Sequence, residues 1–193
     1  MMKTIKRLLV VAIMLTMVTG YANENANDVS AKVITVLKFS DVKKGHQYTI
    51  IDNEGVVLFK ETIERNGSFS KKFDFTALNE GSYTVELEKD FEIIVTPFII
   101  QSKNVVFLDS KVTTVFKPVV RSRDNQLLVS QMSLNEQPLK IELYYNDELI
   151  LKDELKGKSV LSQVYRLSAN EKGDYYVRLE SGKRVYKKSF EIK

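Results

Sequence analysis

The sequence predicts an all-β protein made of two antiparallel β-sandwiches in tandem, and three features of the chain predict it. Apolar runs of five to nine residues, rich in Val, Ile, Phe, Tyr and Leu, alternate with clusters of Gly, Asn, Asp and Lys, and no helical period of useful length interrupts them. Where the alternation is cleanest its period is two. Tyr83, Val85 and Leu87 stand against Thr84, Glu86 and Glu88, and Tyr175, Val177 and Leu179 against Tyr176, Arg178 and Glu180. Such a strand sends one set of side chains to a core and the other to water. The chain also repeats itself at a constant offset of 92 residues.

The repeat sets the domain organisation. Val57–Ile63 overlays Leu149–Leu155, Phe73 falls on Tyr165, Phe75 on Leu167, and Gly81–Glu88 on Gly173–Glu180. A register held without a gap for more than 30 residues marks two copies of one unit. The expected units span 30–104 and 112–193, joined by a linker at 105–111 whose Val105–Leu108 run is apolar enough to pack as a strand or an interdomain contact. Turn chemistry predicts hairpins at Asp52-Asn53-Glu54-Gly55 and at Asn66-Gly67.

Ahead of the first unit, a basic stretch Met1–Arg7 leads into the apolar run Leu8–Val18 and then into small residues at Gly20 and Ala22. This is the pattern of a signal peptide (1–22) cut after Ala22. The apolar run is about 11 residues, against the roughly 20 that a membrane-spanning helix needs, so the mature chain is expected not to be membrane-embedded. Residues 23–29 read as a disordered polar lead-in. Removing the leader takes away three bases and no acid, leaving 26 Lys and Arg against 25 Asp and Glu. Charges so balanced and interspersed offer no basic patch for nucleic acid. With no Cys, no Trp and one His, the chain lacks thiolate chemistry, disulfides and Cys-based metal sites. No cofactor and no metal are expected. An exported chain held together without disulfides points to the periplasm or cell surface of a Gram-negative bacterium.

The repeated core motif is Gly81-x-Tyr83-x-Val85-x-Leu87 and Gly173-x-Tyr175-x-Val177-x-Leu179. It resembles the approach to strand F of immunoglobulin-like sandwiches, where a tyrosine corner buries the ring and hydrogen-bonds the hydroxyl to backbone upstream. Val85 and Val177 occupy the place of the antibody-type Cys, so an apolar pair stands in for the bridge. Gly81 and Gly173 end turns expected to need a positive φ. The whole pattern resembles the small Ig-like modules of exported Bacteroidota proteins, including the C-terminal sorting domains of the type IX secretion route. In the second unit it runs through Leu139–Tyr145, Leu149–Leu155, Gly173–Leu179, Gly182–Val185 and Phe190–Lys193. The resemblance implies tandem immunoglobulin-like sandwiches and, for 112–193, a sorting role.

Few side chains invite chemistry. His46, in the turn Lys43-Lys44-Gly45-His46, is expected to be solvated and has no assigned role. Glu61, Asp153 and Glu154 are the carboxylates a glycosidase would need, but beside Lys60 and Lys152 they read as water-facing partners in cross-strand ion pairs. Asp52–Gly55 resembles a fragment of a calcium loop and is better read as a turn. Asn66-Gly67-Ser68 fits a glycosylation sequon and likewise reads as a turn. The candidate binding face is Tyr144, Tyr176 and Tyr186, opposite in parity to the expected core residues Tyr145, Tyr175 and Val185. Tyrosines exposed on one sheet stack on sugars or dock a protein. The sequence therefore reads as a non-enzymatic binding or spacer protein whose partner is a protein or a glycan of the cell envelope. Secretion sorting and carbohydrate binding are the alternatives.

Overall fold

The computed structural model describes residues 34–193; the signal peptide, its cut after Ala22 and the polar lead-in lie outside the described residues. Every pairing between described strands is antiparallel, and each unit has two sheets closed on a core. In the first unit, β1 (Ile34–Val42) pairs β4 (Gly67–Asp74), opposite a sheet of β3 (Val57–Thr62), β2 (Gln47–Asp52), β5 (Gly81–Glu88) and β6 (Glu92–Gln101). Two further strands lie along the outer edge of β6. β7 (Asn104–Phe107) covers its C-terminal half and β8 (Thr113–Phe116) its N-terminal half. In the second unit, β9 (Val119–Arg123), β10 (Gln126–Ser133) and β13 (Ser159–Arg166) face β12 (Glu148–Leu155), β11 (Leu139–Tyr145), β14 (Gly173–Ser181) and β15 (Arg184–Ile192).

The 92-residue offset carries through the pairing. Gly81 pairs Ile100 as Gly173 pairs Ile192, and Phe73 pairs Thr35 as Tyr165 pairs Leu127. One strand slips. Tyr48 of β2 stands opposite Leu87, whereas in β11 it is Ile141 that stands opposite Leu179, an offset one residue larger. The connection from β1 to β2 is one residue shorter than its counterpart, and the path from Ile50 round the turn to its partner Phe59 is one residue longer than that from Leu143 to Leu151, so the register returns at β3.

Without cysteine, both units are held by strand pairing and by packing of their cores. The first core is aromatic: Tyr48 lies among Phe39, Phe59, Phe69 and Phe73, and Phe73 stacks on Phe75, which touches Phe98. Each such pair adds about 0.5–1.5 kcal/mol beyond the area it buries. The second core is more aliphatic, with Leu127, Val129 and Leu161 from one sheet against Leu139, Ile141, Val177 and Leu179 from the other, and Tyr165 and Tyr175 buried beside them.

Two boundaries differ from the sequence reading. The segment read as a linker, 105–111, contains most of β7, and β8 follows at 113, inside the span assigned to the second unit; both strands belong to the first unit's sheet. Their apolar residues cover β6, and the connection shrinks to Lys117-Pro118 between β8 and β9. Gln131 of β10 donates from its side-chain amide to the Phe116 carbonyl at 2.8 Å, and the Arg184 guanidinium meets the Glu86 carboxylate, so side chains join the units as well.

Asn66-Gly67 is not a hairpin, because β3 and β4 lie in different sheets. Fully buried Ile63 ends β3: its N–H donates to the His46 carbonyl at 2.7 Å and its carbonyl accepts from Gly45 at 2.9 Å. The Asn66 side chain then accepts from the Lys44 N–H at 2.8 Å, and Gly67, at φ +98°, turns the chain to the opposite sheet. Open space surrounds that glycine, so the requirement is conformational. Gly67→Ala is expected to cost about 1 kcal/mol or more, read as a lower urea midpoint with unchanged slope.

Candidate functional site: the outer face of the second sandwich

The tyrosine motifs close the core. The Tyr175 hydroxyl donates to the Glu171 carbonyl at 2.6 Å and the Tyr83 hydroxyl to the Asn79 carbonyl at 2.8 Å, each four residues upstream. Gly173 and Gly81 precede them at φ +136° and +157°. Tyr175 is buried, and burial raises its hydroxyl pKa; Tyr83 is half-buried.

The opposite parity of β11 and β14 builds the outer face. Tyr144 and Tyr176 are directly paired across the strands, and their rings stack with centroids 4.4 Å apart at 11°. The Lys187 ammonium of β15 sits 3.6 Å above the Tyr176 ring, a cation–π contact. Below the rings runs a ladder of charge. Lys152 reaches Glu142 at 3.3 Å, Arg178 reaches Glu142 at 3.0 Å and Glu180 at 3.2 Å, and Lys140 reaches Glu180 at 2.9 Å. Partial burial raises the Glu142 pKa, but hydrogen bonds from Lys152 and Arg178 outweigh it and hold the carboxyl below its ordinary range. The Lys140 ammonium holds Glu180 low in the same way. Burial raises the Tyr144 hydroxyl, aided by the Glu142 charge beside it. At the end of this face, a shallow groove of about 700 Å³ runs past Asn146, Asp174, Tyr176, Lys187 and Glu191.

Tyr186 does not join this face. It pairs opposite Leu179 and packs against the core, while Val185, expected inside, is 55% exposed. Hydrophobicity set the sequence parity of β15 from Val185, but the pairing with β14 directs Tyr186, Phe190 and Ile192 to the core. The Tyr186 hydroxyl is buried without a hydrogen-bond partner.

The other candidates are placed as follows. His46 is buried at 5% exposure rather than solvated: its Nδ1 accepts from the Lys43 N–H at 3.1 Å, and its Nε2 lies 3.5 Å from Asp90. The turn it occupies folds back under the end of β3, which the local sequence does not reveal. Glu61 and Asp153, equivalent under the repeat, turn toward the gap between sheets instead of out to water. Glu61 accepts from Tyr48 at 2.6 Å and pairs Lys71 at 2.8 Å, and Asp153 accepts from Tyr165 at 2.7 Å. Tyr48 is the direct cross-strand partner of Glu61, whereas Tyr165 reaches Asp153 from the facing sheet, a contact that no spacing within one sheet finds. Glu154 is exposed and pairs Lys156. Asp52 closes its turn through one side-chain oxygen, which accepts from the N–H groups of Glu54 and Val56 at 2.9 and 2.8 Å. Among the described residues no three His, Cys, Asp or Glu side chains are grouped to hold a metal ion, and no helix is long and apolar enough to cross a membrane.

Comparison with known proteins gives three findings. No curated protein matches the chain. Among solved structures it is similar to the BSP domain of a biofilm-associated protein, at 15% identity and a TM-score of 0.29, over 82% of this chain and 27% of that one. It is also similar to extracellular domains 3–5 of Drosophila OTK, at 9% identity and a TM-score of 0.22, over 83% of this chain and 91% of that one. Residues 27–101 match the family described as the secretion system C-terminal sorting domain, and that match supports an exported protein. The match falls on the first unit, whereas the sequence resemblance placed a sorting role on 112–193; shifted by the repeat, the matched span becomes 119–193, which begins at the first residue of β9. The first sandwich of this all-β chain is thus similar to the sorting domains of exported proteins, and the second is built on the same plan.

Proposed function

We propose that the chain is an exported, non-catalytic binding protein that acts in the periplasm or at the cell surface, and that the Tyr144–Tyr176 platform contacts its protein or glycan partner. The supporting observation is the ring pair itself: two stacked tyrosines lie on the outer face of the sheet, away from the core, with Lys187 over one of them. Lys187 and Tyr144 cover the two faces of Tyr176, so Tyr144 offers the ring face for stacking. The ion-paired ladder beside it supplies donors and acceptors already fixed in place.

Tyr144→Ala and Tyr176→Ala are expected to weaken binding to a glycan panel and to purified envelope fragments about tenfold each, as removal of an aromatic anchor does. The unfolding midpoint should move little, because neither ring is in the core. Binding equal to that of the parent removes the platform from the account.

The family match favours a second reading, secretion sorting. Fusing 23–116 or 119–193, each of which keeps the whole of its unit's sheets, to a reporter in a host with the type IX route tests it. A reporter retained inside the cell with both fusions eliminates sorting, and export by one of them identifies the unit responsible.

A further inference from the structure

We propose that the outer face of β9, β10 and β13 docks an acidic amphipathic helix of a partner protein, with the helix's apolar stripe along the sheet and its carboxylates on a group of arginines at one end. The proposal shares the reading of the chain as a binding protein but uses the sheet that lies across the core from the tyrosine platform.

Strand pairing lays out the face. Leu127 and Val129 of β10, Leu161 and Tyr165 of β13 and Val120 of β9 pack into the core, so the residues alternating with them point out. Met132 stands opposite Val160, and Leu128 stands between Val164 and Arg121. At the end of the sheet, Gln126 stands between Arg166 and Arg123. Met132, Val160 and Val164 are 44%, 60% and 48% exposed.

The repeat supplies the control. Shifted by 92 residues, β10 and β13 become β1 and β4, and Met132, Val160 and Val164 become Ser40, Ser68 and Lys72. The first unit builds the same pair of strands with polar residues at these positions. The apolar side chains of the second unit are therefore not a requirement of its fold. An apolar patch carried on a sheet's outer face with charge at its rim marks an interaction surface.

Charge and size select the occupant. The described chain has six arginines, and three of them meet at this end of the face. Asp124 pairs Arg123 at 3.1 Å, and among the described residues no carboxylate pairs Arg121 or Arg166. Glu136, beyond the far end of β10, lies 3.8 Å from Lys158. The acids nearest the face are thus engaged already, and a second copy of the same face brings no free carboxylate to the arginines. An acidic partner does, and a guanidinium fork holds a carboxylate through two hydrogen bonds. Strands about 4.8 Å apart, with about 3.4 Å of rise per residue over 126–132, make a field about 10 Å wide and 20 Å long. That is the footprint of one helix of about 14 residues. A sheet face presents no backbone edge for a strand to join, and a helix with an apolar stripe is the element that covers it.

The test uses the full chain and two end-blocked synthetic peptides of about 14 residues. Both have leucine at spacings of three and four along a glutamine background; one carries glutamates and the other lysines at the same remaining positions. Binding is followed by calorimetry, by amide NMR and by the gain of helical circular dichroism, which the all-β chain does not itself supply. The glutamate peptide is expected to shift the amides of 119–132 and 159–166 most and to bind at least tenfold more tightly than the lysine peptide. Met132→Ser with Val160→Ser, which copies the first unit, should weaken it about tenfold and leave the urea midpoint in place. Arg121→Gln with Arg166→Gln should remove the preference for glutamate over lysine. Tyr144→Ala should leave binding unchanged, which separates failure of this face from failure of the platform. Absence of binding, equal binding of the two peptides, full binding by the double-serine variant, amide shifts centred on Tyr144 and Tyr176, or self-association of the chain through β10 and β13 would each overturn the proposal.

Discussion

Tyr175→Ala is expected to lower the stability of the second sandwich by about 3–5 kcal/mol, the range for removing a large aromatic side chain from a core. Tyr175 is 2% exposed, stacks on Phe190 at 5.4 Å and meets Tyr145 at 4.7 Å. Its hydroxyl also ties β14 back to the turn that precedes it, through Glu171. Tyr175→Phe isolates that tie and should cost about 1 kcal/mol, since water can reach the freed carbonyl of exposed Glu171. Tyr83→Ala should cost less than Tyr175→Ala, about 2 kcal/mol, because Tyr83 is half-buried and stacks on Phe98, which keeps its cover from Phe107. Urea unfolding followed by circular dichroism reads all three. Equal losses below about 1 kcal/mol for the two alanine variants would show that the tyrosines do not close their sandwiches.

Much of this fold was legible because its signals are local or periodic. Alternation along β5 and β14 and the Gly-x-Tyr step each depend on a few consecutive residues, and the repeat needs only comparison of the chain with itself. What failed depends on residues far away in sequence. Asn66-Gly67 is the right chemistry for a sharp turn, but whether its flanking strands pair is decided by β1, some 30 residues upstream, which claims β4. Val105 and Phe107 were placed in the linker as a run apolar enough to pack as a strand or an interdomain contact, and nothing nearby states that the edge of β6 makes it the strand. Tyr186 was assigned to the wrong face because one exposed valine set the parity, although the β14 partners fix it. Tyr144 and Tyr176, expected on one face of the sheet, are directly opposed there. The platform also has a member that aromatic counting misses, the ammonium of Lys187.

The pairs of a half-buried acid with a buried tyrosine predict a stability optimum bounded on both sides. Burial raises the Tyr48 hydroxyl pKa, and the hydrogen bond to Glu61 raises it further; Tyr165 is raised by burial and then by Asp153. A tyrosine whose folded pKa lies above its unfolded value contributes stability that is complete below about pH 10. That contribution is lost as pH rises past this point, because the unfolded chain sheds the proton first. Both units should weaken there, since each holds one such pair. On the acid side each unit depends on its own carboxylates, Glu61 in the first and Glu142 and Glu180 in the second. Glu61 is held below the ordinary carboxylate range by Lys71 and then by Tyr48, so its contribution is present above about pH 4.5 and lost as pH falls through its folded value. The Glu61 part of that dependence runs through Lys71, so acid should erode the first sandwich through this pair. Tyr48→Phe and Tyr165→Phe should each flatten the alkaline limb for their own unit, and Lys71→Met should soften the acid limb of the first unit alone. Urea midpoints measured from pH 3 to 11, with amide NMR to assign each transition to its unit, decide the matter. An alkaline limb that survives both phenylalanine changes would place its origin in other groups.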